Sequence, residues 1–358
     1  MKRLLTGLLS IVLIAALLGG CSVVQVHVCP PEENGQSTGE STPDNNTDTP
    51  VTSGSVKTGL AVITSLDGSA GVSAEAAGSA SFDVTLAAVT VDDAGVIDAC
   101  VIDGVKATVN FDNTGTITSD LTAPVLSKNE LGEDYGMKAY GGAAYEWDEQ
   151  AAALAQYAVG KTVEELKNGA IDESGHAADA DLASVATIYL GGYVSAIEAA
   201  VANAQHLGAQ KGDRLALTTS NALDSSKSAS AEDSGLAQLD VTIAALTLNG
   251  DTITSCLLDG VQPAVSFDAS GAITSDLTAP VLSKNELGED YGMKAYGGAI
   301  AEWDEQAAAF AAYVTGKTLD EVSGIAVNER TQPTDADLAA SVTIAVGGFM
   351  SLIAKAAQ

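Results

Sequence analysis

Residues 81–111 read "SFDVTLAAVTV", then "DDAG", then "VIDACVIDGVKATVNF". Val, Ile and Thr dominate both arms and turn residues separate them, which predicts a β-hairpin. "DNTG" at 112–115 followed by "TIT" predicts a further turn and strand, so the first half of this unit is a meander. From Tyr145 the spacing becomes helical: Trp147, Ala151, Leu154 and Ala158 share one face, with Glu146, Asp148 and Glu149 in the first turn. Gly160 is placed to stop that helix. A last helix is expected at "TDADLAAS", 334–341, with Thr334 capping the amide near Asp337; in the matching stretch Ala178 replaces that threonine and Asp179 takes the cap. The predicted class is α+β, a small antiparallel sheet followed by helices.

The unit occurs twice. "ITSDLTAPVLSKNELGEDYGMKAYGGA" is identical at 117–143 and 273–299, and an offset of 156 residues then holds without a gap to the end. Upstream, "DVTLAAVTVDDAGVIDAC" aligns with "DVTIAALTLNGDTITSC" after the loss of one turn residue. Two repeat domains are expected, 58–206 and 212–358, joined by "HLGAQKGD", and each is long enough for its own core.

Ahead of them, Lys2 and Arg3 precede an apolar run from Leu4 to Leu18, too short to span a bilayer comfortably, which predicts a signal peptide over 1–20. The run ends in Leu18-Gly19-Gly20-Cys21, which resembles the lipobox of a bacterial lipoprotein; on that resemblance Cys21 carries the lipid. Residues 21–57 are expected to form a disordered tether, since 30–56 hold no aromatic and almost no aliphatic residue. A flexible chain of about 30 residues has an end-to-end distance of roughly 30 Å, enough to hold a folded part off the membrane. The implied location is the extracytoplasmic face of the cell membrane.

A net charge of −31 repels phosphate backbones and makes nucleic acid an unfavourable partner. Four cysteines show no zinc or iron–sulfur spacing; Cys29 falls in the tether, and Cys100 and Cys256 fall in apolar segments as small buried thiols. His27, His176 and His206 are in the tether, a loop and the linker, so a hydrolase lacks its base. No phosphate-binding glycine loop of the Walker or dinucleotide type is present. Trp147 and Trp303 read as core anchors.

The order of hairpin, "NELG", "EWDEQ", "GKT" and final "SVATIYLGGYVSAIEAAV" resembles the FMN-binding domain of the Rnf and sodium-pumping NADH:quinone reductase complexes, found also in extracellular flavin lipoproteins. By that resemblance Glu130 and Gly132 match the loop motif, Gln150, Gly160 and Lys161 the middle segment, and Ser184, Ala186 and Thr187 the terminal one. The counterparts are Glu286 and Gly288, Gln306, Gly316 and Lys317, and Thr343. Where the family has its glycine stand Val185 and Ser341, and where it has the flavin-accepting threonine stand Tyr189 and Ala345. The resemblance therefore implies FMN held without a covalent bond.

In that reading Lys138 meets the phosphate, Tyr135 or Tyr140 lies along the isoalloxazine, and Thr187 offers a hydroxyl at a helix N-terminus; Lys294, Tyr291, Tyr296 and Thr343 repeat the set. The loop equally reads as a turn, with Asn129, Gly132, Gly136, Gly141 and Gly142 as turn residues and Glu130, Glu133 and Asp134 as solvated charges. Those three acids lack EF-hand spacing, and no metal site is expected. Two functions follow: a lipid-anchored flavin carrier passing electrons to or from a membrane redox partner, or a cofactor-free binding or spacer module at the envelope.

Overall fold

The computed structural model describes residues 54–357; the expected signal peptide, Cys21 and residues 22–53 of the expected tether lie outside the described residues. The expected hairpin is present as β2 (Gly78–Val91) and β3 (Ile97–Phe111), paired antiparallel, and β1 (Lys57–Ser65) joins the other edge of β2. In the second half β4 (Arg214–Ala222), β6 (Asp240–Asn249) and β7 (Thr252–Val261) form a sheet in order β4-β6-β7, while β5 (Gly235–Gln238) pairs with β8 (Ala264–Phe267) apart from it. Pro263 explains the break. It occupies the place of Ala107 within the unbroken β3, and without an N–H it cannot continue the ladder.

Helices follow each sheet: α1 (Lys128–Leu131), α2 (Met137–Gly141), α3 (Trp147–Ala158), α4 (Val163–Ala170), α5 (Ala180–Val185) and α6 (Gly191–Ala202), then α7 (Lys284–Leu287), α8 (Met293–Gly297), α9 (Trp303–Val314), α10 (Leu319–Ser323), α11 (Ala336–Ala339) and α12 (Gly347–Lys355). The fold is thus mixed, with small antiparallel sheets and helices. The amphipathic face expected from Tyr145 onward is α3, which buries Trp147, Ala151, Leu154 and Ala158 and stops before Gly160 at φ 79°.

Three local expectations are corrected. "TIT" makes no strand; Ile117 forms a single bridge to Phe111. Asp335, not Thr334, caps α11, accepting from the Asp337 and Leu338 amides, while the Thr334 hydroxyl donates to the Ala326 carbonyl. Asp335 stands at the N-cap itself, one residue nearer the helix, so one of its carboxylate oxygens reaches both amides at once, as Asp179 does in α5. The final helix is also broken in two: α5 and α11 end early, and α6 and α12 start only at the glycine pairs Gly191-Gly192 and Gly347-Gly348.

Strand alternation divides the apolar residues among three cores. Val84, Leu86 and Ala88 point one way along β2 and Ala87 and Val89 the other. The second set packs with α3 and α6, and its counterpart on β6 packs with α9 and α12. The first set meets Val241, Ile243 and Ala245 of β6 in a core shared by both sheets, so the layers run helices, sheet, sheet, helices. At its centre Phe111 and Phe267 stack with ring centroids 4.0 Å apart and planes 1° from parallel, both fully buried. Gly78 leaves room for the first ring, since a Cβ there would fall 2.1 Å from it.

One pair of contacts between the halves is reciprocal. The Val72 amide donates to the Gly271 carbonyl and the Ala229 amide to the Gly115 carbonyl, each at 2.8 Å. The expected tether is corrected at its end: Val56 is 1% exposed and its amide donates to the Ala209 carbonyl of the joining segment, β1 already begins at Lys57, and Thr58 exchanges amide hydrogen bonds with Gln205.

Candidate functional site

The duplicated loop is built by side chains that end and start short helices. Ser127 accepts from the Glu130 amide while the Glu130 carboxylate accepts from the Ser127 amide at 2.9 Å, a capping box around α1. Asp103, buried on β3, accepts from the amides of Gly104 (2.7 Å) and Asn129 (3.0 Å), and the Asn129 side chain donates to the Ile102 carbonyl. A Cβ at Gly104 would lie 3.2 Å from the Lys128 stem and the Val84 carbonyl, so a larger residue there would have to push α1 outward by a few tenths of an ångström. Past the left-handed Gly136, the buried Glu146 carboxylate accepts from the Met137 and Lys138 amides at 2.7 and 3.0 Å, capping α2 from outside it. Asp259, Asn285 and Glu302 repeat these contacts in the second copy. Burial pushes the Asp103 carboxyl up, and the Asp259 carboxyl up to about 6.

The residues expected to hold FMN are largely committed to contacts of their own. Lys138 Nζ is paired with Glu149 (3.3 Å) and Glu133 (3.9 Å), and Lys294 with Glu305 (3.5 Å). The hydrogen bond that it donates to Glu149 holds the Lys138 ammonium above its ordinary range. Tyr140 and Tyr296 stand on the outer surface, 93% and 92% exposed. Thr187 opens no helix: its amide and hydroxyl both donate to Gln150 Oε1, at 2.7 and 3.3 Å, and Thr343 makes the same pair with Gln306. The two glutamines are fully buried and serve as clamps. Gly132 and Gly288 turn the chain at φ 47° and 49°. Glu130 is engaged by Ser127 and by Lys355 Nζ at 2.6 Å; burial opposes its ionisation, yet those bonds hold its carboxyl below the usual range. Glu286 keeps the capping bond alone among the described residues. Lys138, the residue expected to meet a phosphate, is thus already engaged by carboxylates.

Of the first repeat's set, Tyr135 faces a cavity of about 470 Å³ under the first copy of the loop. Trp147, Tyr189 and Tyr193 line it with Tyr135, and Lys128 enters from α1. Lys128 Nζ lies 5.0 Å from the Trp147 ring, 5.9 Å from the Tyr135 ring and 3.4 Å from Asp83 Oδ1. The ammonium is thus balanced by π faces and one carboxylate while only 4% of the residue is exposed. The Trp147 indole donates to the Tyr193 hydroxyl at 2.9 Å, and burial raises the pKa of that phenol. Such walls suit a flat ring system, with one buried ammonium as donor.

The second copy is arranged differently. Lys284 Nζ again lies over Trp303 and Tyr291, at 4.9 and 5.0 Å, but Ala345 replaces Tyr189 and Phe349 replaces Tyr193. The Tyr291 hydroxyl donates to Gln262 Oε1, and Asp240 accepts from the Gln238 and Gln262 side chains.

Sequence reasoning missed Lys128 and Asp103 with their counterparts. The signal for the two aspartates was the Asp-Gly pair inside an otherwise apolar strand in both repeats, at 103–104 and 259–260. Cys256 is the buried thiol expected, whereas Cys100 is only half-buried at the wall of a cavity lined by β3 and α3; both are free, and desolvation pushes each up to about 12. Among the described residues, no group of three or more His, Cys, Asp or Glu side chains is placed to hold a metal, and no helix is long and apolar enough to cross a membrane. The chain matches no family model, no curated protein and no solved structure.

Proposed function

We propose that this chain is a lipid-anchored extracytoplasmic protein of two tandem repeats, working as a binding module at the envelope rather than as a covalent flavoprotein. The observation that carries this reading is the asymmetry beneath an identical loop: the first repeat keeps a cavity framed by Tyr135, Trp147, Tyr189 and Tyr193 around Lys128, and the second replaces two of those rings. An uncharged planar ring system is the ligand class these walls fit. The repeat relation is supported by the constant offset, and the anchor by Lys2, Arg3, the apolar run and Leu18-Gly19-Gly20-Cys21.

Riboflavin and FMN, titrated against residues 51–358 with Trp147 fluorescence as readout, test the cavity. Riboflavin should quench saturably, FMN should bind no more tightly because Lys138 is already paired, and Lys138→Glu should leave both curves unchanged. Tighter binding of FMN that Lys138→Glu removes would restore the phosphate-cradle reading. Absence of saturable quenching at micromolar protein would leave the spacer function. Release of the full chain from membranes by Cys21→Ala tests the anchor.

A further inference from the structure

Lys355 on α12 reaches from the second half to the first. Its Nζ donates to Glu130 Oε1 at 2.6 Å and to the Thr219 carbonyl at 2.7 Å, so one ammonium is held between the capping glutamate of α1 and an edge carbonyl of β4. The 156-residue offset makes Ala199 on α6 the counterpart of Lys355, and Glu286 on α7 the counterpart of Glu130. Val62 corresponds to Thr219: it faces Leu86 across β1–β2 as Thr219 faces Ile243 across β4–β6. Those three residues, Val62, Ala199 and Glu286, line one cavity of about 370 Å³ together with Leu257, Asp259 and Ser283. The cavity is the space a lysine would fill if position 199 matched position 355. Alanine leaves out the stem and the ammonium, while the acceptors remain.

Charge supports the same occupant. Glu286 and the nearly buried Asp259 both face the cavity, and among the described residues no lysine, arginine or histidine pairs with either. Asp259 is already engaged by the Gly260 and Asn285 amides, whereas Glu286 uses one oxygen on the Ser283 amide and has the other open, the oxygen that in Glu130 receives Lys355. The apolar part of the wall, Val62, Ala199 and Leu257, matches a methylene stem. A chain of net charge −31 also concentrates cations at its surface.

We propose that this cavity is a binding site for a small primary alkylammonium, with Glu286 and the Val62 carbonyl receiving the head group and Leu257 and Ala199 the aliphatic stem. Lys355 is the internal template for that ligand. Amines of three to five carbons fit best, because the lysine stem beyond Cβ sets the depth. An alcohol of the same length lacks the charge, and a quaternary ammonium lacks the N–H groups that both acceptors require.

The test is saturation-transfer NMR on the full chain with n-butylammonium as probe and n-butanol and tetramethylammonium as controls. Butylammonium should bind with a dissociation constant on the order of 1 mM, one site per chain, and the controls at least about tenfold more weakly. Glu286→Gln, a surface change, should weaken binding about tenfold or more, and Ala199→Lys should abolish it by filling the cavity. Glu130→Gln should leave it unchanged, while Lys355→Ala should open the equivalent space and raise the stoichiometry to two. Absence of saturable transfer at 10 mM probe, on the order of ten times that constant, would overturn the proposal. Equal binding of butanol, or binding that survives both Glu286→Gln and Ala199→Lys, would overturn it too.

Discussion

Phe111→Ala is the perturbation that asks whether the two repeats are one folding unit. The ring is fully buried, stacked on Phe267 and seated over Gly78, in a core that draws on both sheets. Truncating a buried phenylalanine costs about 3–5 kcal/mol, and loss of the stacked pair accounts for about 0.5–1.5 kcal/mol of that. With a urea slope of about 3 kcal/mol/M for a protein of this size, the midpoint should fall by roughly 1 M or somewhat more. Each repeat has a single tryptophan, Trp147 and Trp303, and each packs between its own sheet and helices. Trp303→Phe and Trp147→Phe backgrounds therefore report the two halves separately. Because the damaged core belongs to both sheets, Phe111→Ala should lower both midpoints equally, and the two traces should coincide before and after the change. A Trp303 signal that keeps its midpoint while the Trp147 signal moves would refute the shared core and restore two independent domains. A double-mutant cycle with Phe267→Ala should return a coupling of about 0.5–1.5 kcal/mol.

The Asp259 carboxyl, held at about 6 by burial against an ordinary 3.8, should make stability fall as pH rises from 4 to 7, by up to about 3 kcal/mol, because the folded state is the one that keeps the proton. Asp259→Asn should remove that slope, and urea midpoints across the range check it; a constant difference between the two proteins from pH 4 to 7 would rule it out. Gln150→Leu should cost about 2–3 kcal/mol, because the Thr187 and Ile188 amides lose the oxygen they share, and hydrogen exchange at those two amides should accelerate. Cys100 and Cys256 should stay unreactive toward a thiol reagent at pH 8 until urea unfolds the chain, since each thiol is pushed up to about 12.

Much of the fold was legible in residues 81–111 and 145–160, because a period of two and a period of 3.6 leave direct marks on the apolar pattern. The cap at Asp335 and the break before α12 were harder to read. Thr and Asp are both good caps, and which one reaches the amides depends on backbone geometry that spacing does not fix. The contact face between the sheets was illegible for another reason: Val84, Leu86 and Ala88 would look the same whether they met helices, water-excluding loops or a second sheet. At the site, residue type suggested Lys138 for an anion, but its two carboxylate partners, Glu133 and Glu149, are local in sequence and were visible all along as charges of the opposite sign. Lys128 carried no such mark, since only the fold turns it inward beneath Trp147.

The identity of "KNELGEDYGMKAYGG" in both repeats is accounted for by construction rather than by ligand contact. Ser127 and Glu130 close a cap, Asn129 ties α1 to Asp103, Gly136 takes the left-handed turn, and Met137 and Lys138 give their amides to Glu146; every one of these contacts recurs 156 residues later. A substitution in such a loop breaks a cap or a clamp in either copy, so both copies are held to one solution whatever they bind. Among the many positions that do differ are three whose side chains reach past the scaffold: Tyr189 against Ala345, Tyr193 against Phe349, and Lys355 against Ala199. All three pairs lie at the cavities, the first two at the aromatic one and the third at the ammonium-shaped one. Binding in this protein is therefore to be sought where the repeats disagree, and exchanging only those residues between the halves should exchange the ligands while leaving the fold intact.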